Sequence, residues 1–202
     1  AITLTVSTIN TQSTLAGGGN SLTILGAADI DAAYSNLGAL SISGATALGA
    51  NVSTSGTQTY TGAVTLTADA TLSTSNSDVS FGAAVDGAHQ LDVRAGSGTI
   101  TFNASVGANS ALAGLTTADA LTGSAVASLT GETVLAANVG SVRTTGDQVY
   151  NHLTFNTDTS IAKDSGNNAV QVNTEDNNTT NIYPLRLTSS AGSLNFVGTV
   201  EG

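Results

Sequence analysis

Short alternations of apolar and polar residues recur along the whole chain. Ile2-Thr3-Leu4-Thr5-Val6, Leu22-Thr23-Ile24, Leu40-Ser41-Ile42, Val64-Thr65-Leu66, Thr99-Ile100-Thr101-Phe102 and Leu185-Arg186-Leu187 each place an apolar residue at every second position. That is the period of a strand buried on one side. Clusters of Gly, Asn, Asp and Ser lie between these segments and supply turns. Long periodic runs of Leu, Glu, Lys and Arg are missing, so the pattern predicts an all-β chain. One segment, Ala27 to Leu37, reads either as a short helix or as an Ala-rich loop.

The strands repeat. Gly56-Thr57-Gln58-Thr59-Tyr60 returns as Gly146-Asp147-Gln148-Val149-Tyr150, an offset of 146 − 56 = 90. Leu48-Gly49-Ala50-Asn51-Val52 returns as Leu135-Ala136-Ala137-Asn138-Val139, an offset of 135 − 48 = 87. A third module, Phe81-Gly82-Ala83-Ala84-Val85-Asp86-Gly87, recurs at Phe102 and again at Phe196. Strand-centre apolar residues Ile24, Ile42, Tyr60, Phe81 and Phe102 follow one another at offsets of 42 − 24 = 18, 60 − 42 = 18, 81 − 60 = 21 and 102 − 81 = 21. A short period of about 20 residues fits one turn of a parallel β-helix, and a long one of about 90 fits a block of several turns. One turn cannot bury its own inward side, whereas stacked turns share a continuous core. The expectation is therefore a single β-solenoid domain over residues 1–202, with turns of about 20 residues. An antiparallel β-sandwich, which also has short strands and Gly-rich turns, is the alternative. A polar stretch over residues 163–183 breaks the period and reads as a loop excursion.

Composition narrows the function classes. Only 9% of the 202 residues are charged, against roughly 25% in an ordinary soluble protein. Hydrophobic residues make up 40%, which argues against disorder. The net charge is −10, and the only cations are Arg94, Arg143, Lys163 and Arg186, far apart in sequence. A nucleic-acid backbone needs clustered Lys and Arg, so that partner is not expected. No apolar run approaches the roughly 18 residues of a membrane span, and membrane insertion is not expected either. Without Cys there are no disulfides or thiolate sites, which suits a chain exported unfolded. The sequence begins directly in the strand-like Ile2 to Val6 segment with no visible leader, and is expected to be a protomer or part of a larger assembly.

The run from Thr54 to Leu72, TSGTQTYTGAVTLTADATL, resembles the repeats of filamentous-haemagglutinin-like giant adhesins. So does the pairing of Phe-x-x-x-Val modules from Val79 to Thr117. The likeness extends over Leu15 to Phe155, weakens from Lys163 to Tyr183 and returns at Ser193 to Gly202. It implies a right-handed parallel β-helix from a large exported protein at the cell surface of a Gram-negative bacterium. The open ends of a solenoid are unpaired sheet edges, so partners are expected there, either other copies of the chain or neighbouring repeats, with host or matrix glycans as further expected partners.

Enzymatic β-helices carry clustered Asp, Lys, Arg or His on one face. The candidates are Asp29 with Asp31, and Asp86 with His89 and Asp92. Asp29 and Asp31 would share a side of a strand and could serve as acid and base or hold Ca²⁺, but a solvated turn is the expected reading. His89 reads as an exposed turn residue, and His152 has no neighbouring His or Cys for zinc. No metal or cofactor is expected. Thr57/Thr59, Thr65/Thr67 and Thr99/Thr101 follow no single fixed period and are not expected to form a flat array. Asn51, Asn103, Asn177 and Asn178 head glycosylation-like triplets of little weight in a sequence this rich in Asn and Thr. Tyr60, Tyr150 and the four Phe are expected to stack in the core. Partner contact is assigned to the excursion, at Asn173, Glu175, Asp176, Asn177, Asn178 and Tyr183. The expected function is a non-catalytic structural or adhesive element, a stalk, matrix fibre or filament subunit. A carbohydrate-binding or carbohydrate-active β-helix is the alternative.

Overall fold

Inward-facing apolar positions that recur at such intervals can be buried together only if successive turns stack in register. A computed structural model has this arrangement. It describes residues 1–117, 131–136, 139–150, 152–155, 160–163, 170–174, 186–189 and 194–198. Every strand pairing among them is parallel, and no helix occurs among the described residues. The chain is a β-solenoid, and the antiparallel sandwich is excluded.

Each turn contributes a strand to three faces in succession. The first face stacks the opening parts of Ile2–Thr11 and Leu22–Ile30, then Leu40–Ile42, Gln58–Tyr60, Val79–Phe81, Thr99–Phe102, Glu132–Leu135 and His152–Phe155. The second takes the closing parts of the two long strands, then Thr46–Leu48, Val64–Leu66 and Val85–Asp86. It continues through bridges at Val106 to Ser141–Thr144, Ser160–Lys163 and Arg186–Ser189. The third is a nine-stranded sheet of Leu15–Ala16, Tyr34–Leu37, Val52–Thr54, Ala70–Ser73, Gln90–Arg94, Gly114–Thr116, Gln148–Tyr150, Val170–Thr174 and Leu194–Gly198.

The interior is a set of ladders. On the first face Ile24, Ile42, Tyr60, Phe81 and Phe102 are direct register partners, and each is 0% exposed. The intervals between these five in the sequence are therefore the true turn lengths. Tyr60 and Phe81 stack at 5.5 Å and 11°, and Phe81 and Phe102 at 4.8 Å and 4°. The second separation matches the spacing of neighbouring strands, and the first is somewhat wider. At the corner between the first two faces Gly26, Gly44 and Gly62 lie over one another. A Cβ on Gly62 would sit 2.3 Å from the Gly44 carbonyl oxygen, so glycine is needed for the backbones to stack this closely.

Three expectations change. Ala27 to Leu37 is not helical: it holds the end of Leu22–Ile30 and the strand Tyr34–Leu37. Ala28, Ile30, Tyr34 and Leu37 turn inward and are buried, which a helix stacked on neighbouring strands could not achieve. The stretch 163–183 is not one loop, because Lys163 closes Ser160–Lys163 and Val170–Thr174 is a strand paired on both sides. Nor is it the first break in the period. Phe102 pairs with Leu135, an offset of 135 − 102 = 33, against 102 − 81 = 21 for the turn before. Residues such as Leu121-Thr122 and Leu129-Thr130 within that interval have the same composition as true strands, so the sequence carries no warning of the long turn.

Candidate functional site

The polar side chains that could carry chemistry lie mainly at the corners. Asp86 ends the short strand Val85–Asp86. Its Oδ1 accepts from the backbone N–H of Asn109 at 2.9 Å and of Ser110 at 3.1 Å, and its Oδ2 from Asn109 Nδ2 at 3.0 Å. The same device recurs along the solenoid. Asn51 Oδ1 accepts from Thr71 N–H at 2.8 Å, Asp69 Oδ1 from Gln90 N–H at 2.9 Å, Asn76 Oδ1 from Ser97 N–H at 3.1 Å and Asp78 Oδ1 from Thr99 N–H at 2.8 Å. Each of these four donors lies one full turn ahead of its acceptor. An oxygen at a corner thus satisfies a donor near the start of a strand or turn of the next coil, much as an N-cap side chain satisfies the first amides of a helix. These residues tie turn to turn, and sequence reasoning did not find them. The legible signal was an Asp or Asn one turn length before the start of a strand.

The structure does not bring Asp86, His89 and Asp92 together. His89 Nδ1 lies 3.6 Å from Asp69 Oδ1, with both side chains open to solvent. Asp92 is on the third face, where Arg94 Nε donates to its Oδ2 at 2.9 Å. Its Oδ1 has no hydrogen-bond partner. Asp29 accepts from Asn10 Nδ2 at 2.6 Å. Asp31 follows the end of Leu22–Ile30, and its backbone N–H donates to the Thr11 carbonyl at 3.1 Å. No cluster of three or more His, Asp or Glu placed to hold a metal exists among the described residues. His152 opens the strand His152–Phe155 opposite Glu132, but its side chain lies outside the described part. Asn173 belongs to Val170–Thr174, opposite Val197. Glu175, Asp176, Asn177, Asn178 and Tyr183 lie outside the described residues.

The described aromatic side chains form no platform for sugar. Tyr34, Tyr60, Tyr150, Phe81 and Phe102 are at most 1% exposed. Burial pushes the hydroxyls of Tyr60 and Tyr150 well above the usual tyrosine range, and that of Tyr34 in the same direction. Tyr34 accepts a hydrogen bond from Thr11 Oγ1 at 3.1 Å, which opposes the shift. The threonine pairs divide between faces. Thr59 and Thr101 share the first face, joined through Ser80, while Thr65 is on the second. The stacked turns do align Thr23, Ser41, Thr59, Ser80 and Thr101 in one outward row. The neighbouring row is interrupted, because Asp78 stands between Thr57 and Thr99 at the corner. Of the glycosylation-like asparagines, Asn51 is one of the turn-to-turn ties and Asn103 Nδ2 donates to the Phe81 carbonyl at 3.0 Å.

Compared with protein-family models, curated proteins and solved structures, the chain matches none.

Proposed function

We propose that this solenoid is a non-catalytic structural or adhesive element of an exported bacterial surface protein: a stalk, matrix fibre or filament subunit at the surface of a Gram-negative cell. One observation carries the reading. Five corner side chains, Asn51, Asp69, Asn76, Asp78 and Asp86, are committed to backbone donors in the next turn. A group held this way stiffens a rod, because one of its oxygens is turned to a backbone donor of the neighbouring coil. The continuous interior of stacked apolar and aromatic residues supports the same role, since each turn is held only by its neighbours. Contacts with other copies or with adjoining repeats would use the end strands, whose unpaired edges accept further strands. Glycan contact would fall on the outward Ser, Thr and Asn positions.

The test measures two things on the same preparations. Turnover is followed on uronate-containing and neutral polysaccharides by unsaturated-uronate absorbance and by release of reducing ends. Unfolding midpoints are measured for Asp78→Ala and Asp86→Ala. No turnover is expected, and both variants should unfold earlier, each losing about 1–2 kcal/mol for backbone donors left without their acceptor. A turnover that Asp29→Ala or His89→Ala abolishes would refute the proposal.

A further inference from the structure

The long sequence repeat and the turn of the solenoid do not coincide. Gln58–Tyr60 lies on the first face and Gln148–Tyr150 on the third. Between them the first face is stacked three times, Tyr60 to Phe81, Phe102 and Leu135. The chain then crosses the second face at Ser141–Thr144 before reaching the third. The copies are therefore three and two-thirds turns apart. Two other distant copies shift by the same single face, whereas Phe81 and Phe102 stay in register. Leu48 is on the second face and its counterpart Leu135 on the first; Phe81 is on the first and Phe196 on the third.

Although the corners differ, the bonding inside them is the same. The Tyr60 hydroxyl donates to Gln58 Oε1 at 3.0 Å and that of Tyr150 to Gln148 Oε1 at 2.8 Å. Gln58 Nε2 donates to Thr54 Oγ1 at 3.3 Å, and Gln148 Nε2 to Thr144 Oγ1 at 3.0 Å. Thr54 Oγ1 donates to the Gly56 carbonyl at 2.5 Å, and Thr144 Oγ1 to the Gly146 carbonyl at 2.8 Å. Thr54 is 4% exposed and the other five of these side chains are 0% exposed. The Gln58 amide donates further to the carbonyl of Val52 at 3.3 Å and to that of Ser73, the register partner of Ser53, at 2.8 Å. The apex glycine is required in both copies. A Cβ on Gly56 would lie 2.6 Å from the Gly38 oxygen, and one on Gly146 would lie 2.0 Å from the Ala113 oxygen.

We propose that Thr-x-Gly-x-Gln-x-Tyr is a self-contained corner unit that bends the chain in the same way at whichever edge of the solenoid it falls. Its defining hydrogen bonds run Tyr to Gln to Thr to Gly within one short segment, so none depends on the identity of the face. Hydrogen bonds in a buried chain polarise and strengthen one another, so breaking one link weakens the next. The long duplication then copies interior corners and not a surface. Thr59 and Val149, the outward centres of the two copies, stand on different faces, so this repeat cannot build a one-sided ligand array.

The experiment uses the full chain. Tyr60→Phe, Tyr150→Phe, Gln58→Leu, Gln148→Leu and the Gln/Tyr double variant of each copy are compared by chemical unfolding. The hydroxyl protons of Tyr60 and Tyr150 are followed by NMR. Each single substitution should lower the midpoint, by matching amounts in the two copies, and each double variant should fall no further than its worse single. Both hydroxyl protons should be protected from exchange and lose protection when the adjoining Gln is replaced. Should a Gln→Leu variant fail to fold, the two Tyr→Phe variants and the wild-type hydroxyl protons still decide the matter. Additive losses in either copy, or protection at one corner only, would overturn the proposal.

Discussion

Phe81 and Phe102 differ in one respect that a substitution can read. Phe81 is stacked on both sides, by Tyr60 at 5.5 Å and by Phe102 at 4.8 Å. Phe102 has an aromatic neighbour on one side only, since its next register partner is Leu135. Both side chains are 0% exposed, so the area each loses on truncation is nearly the same. Replacement by Ala should cost about 3–5 kcal/mol at either site. Replacement by Leu keeps most of the apolar volume and isolates the stacking contribution, about 0.5–1.5 kcal/mol per aromatic pair beyond burial. Phe81→Leu breaks two such pairs and Phe102→Leu one. The first should therefore be the more destabilising by about 0.5–1.5 kcal/mol. The double Leu variant should cost less than the sum, because the shared pair is counted once. Guanidinium unfolding followed by far-UV circular dichroism gives the midpoints, with hydrogen exchange on Thr99–Phe102 to confirm that the same turns are opening. Equal costs at the two sites, or Ala variants that lose less than about 1 kcal/mol, would show that the ladder is not what holds these turns together.

Three further outcomes follow from single groups. Thr46 Oγ1 is buried in the second-face ladder without a hydrogen-bond partner, so Thr46→Val should raise stability by about 1 kcal/mol; a lower melting temperature would mean that the hydroxyl is satisfied. Gly62→Ala should cost about 1–3 kcal/mol or prevent folding, because its Cβ would sit 2.3 Å from the Gly44 oxygen; wild-type stability in the purified variant would refute the close stacking. The phenols of Tyr60 and Tyr150 are held above their ordinary value of 10.0 by burial, so the folded state keeps protons that the unfolded state releases. Their stabilising contribution is complete below about pH 10 and is lost as pH rises beyond it. Tyrosinate absorbance from these two residues should appear only together with the unfolding transition, and ionisation near pH 10 in a folded chain would contradict their burial.

Much of the interior was legible in the sequence. An inward residue in a parallel stack must meet its counterpart one turn away, so Ile24, Ile42, Tyr60, Phe81 and Phe102 carried the turn lengths in their spacing. Alternation identified the strands and placed Tyr60, Tyr150, Phe81 and Phe102 inside for the same reason, while the side chains of Phe155 and Phe196 lie outside the described part. The sequence could not tell which face a repeat would occupy. The long repeat is not a whole number of turns, and the long turn between Phe102 and Leu135 is made of residues like those of the strands. It also could not separate a tie from a site. Asp86 reads as a chemical group in a motif with His89 and Asp92, yet its partners are the backbone amides of Asn109 and Ser110. Every residue except proline carries such an amide, so the partner leaves no mark in the sequence. Only the stacking of one turn on the next decides which amide an acidic side chain will meet.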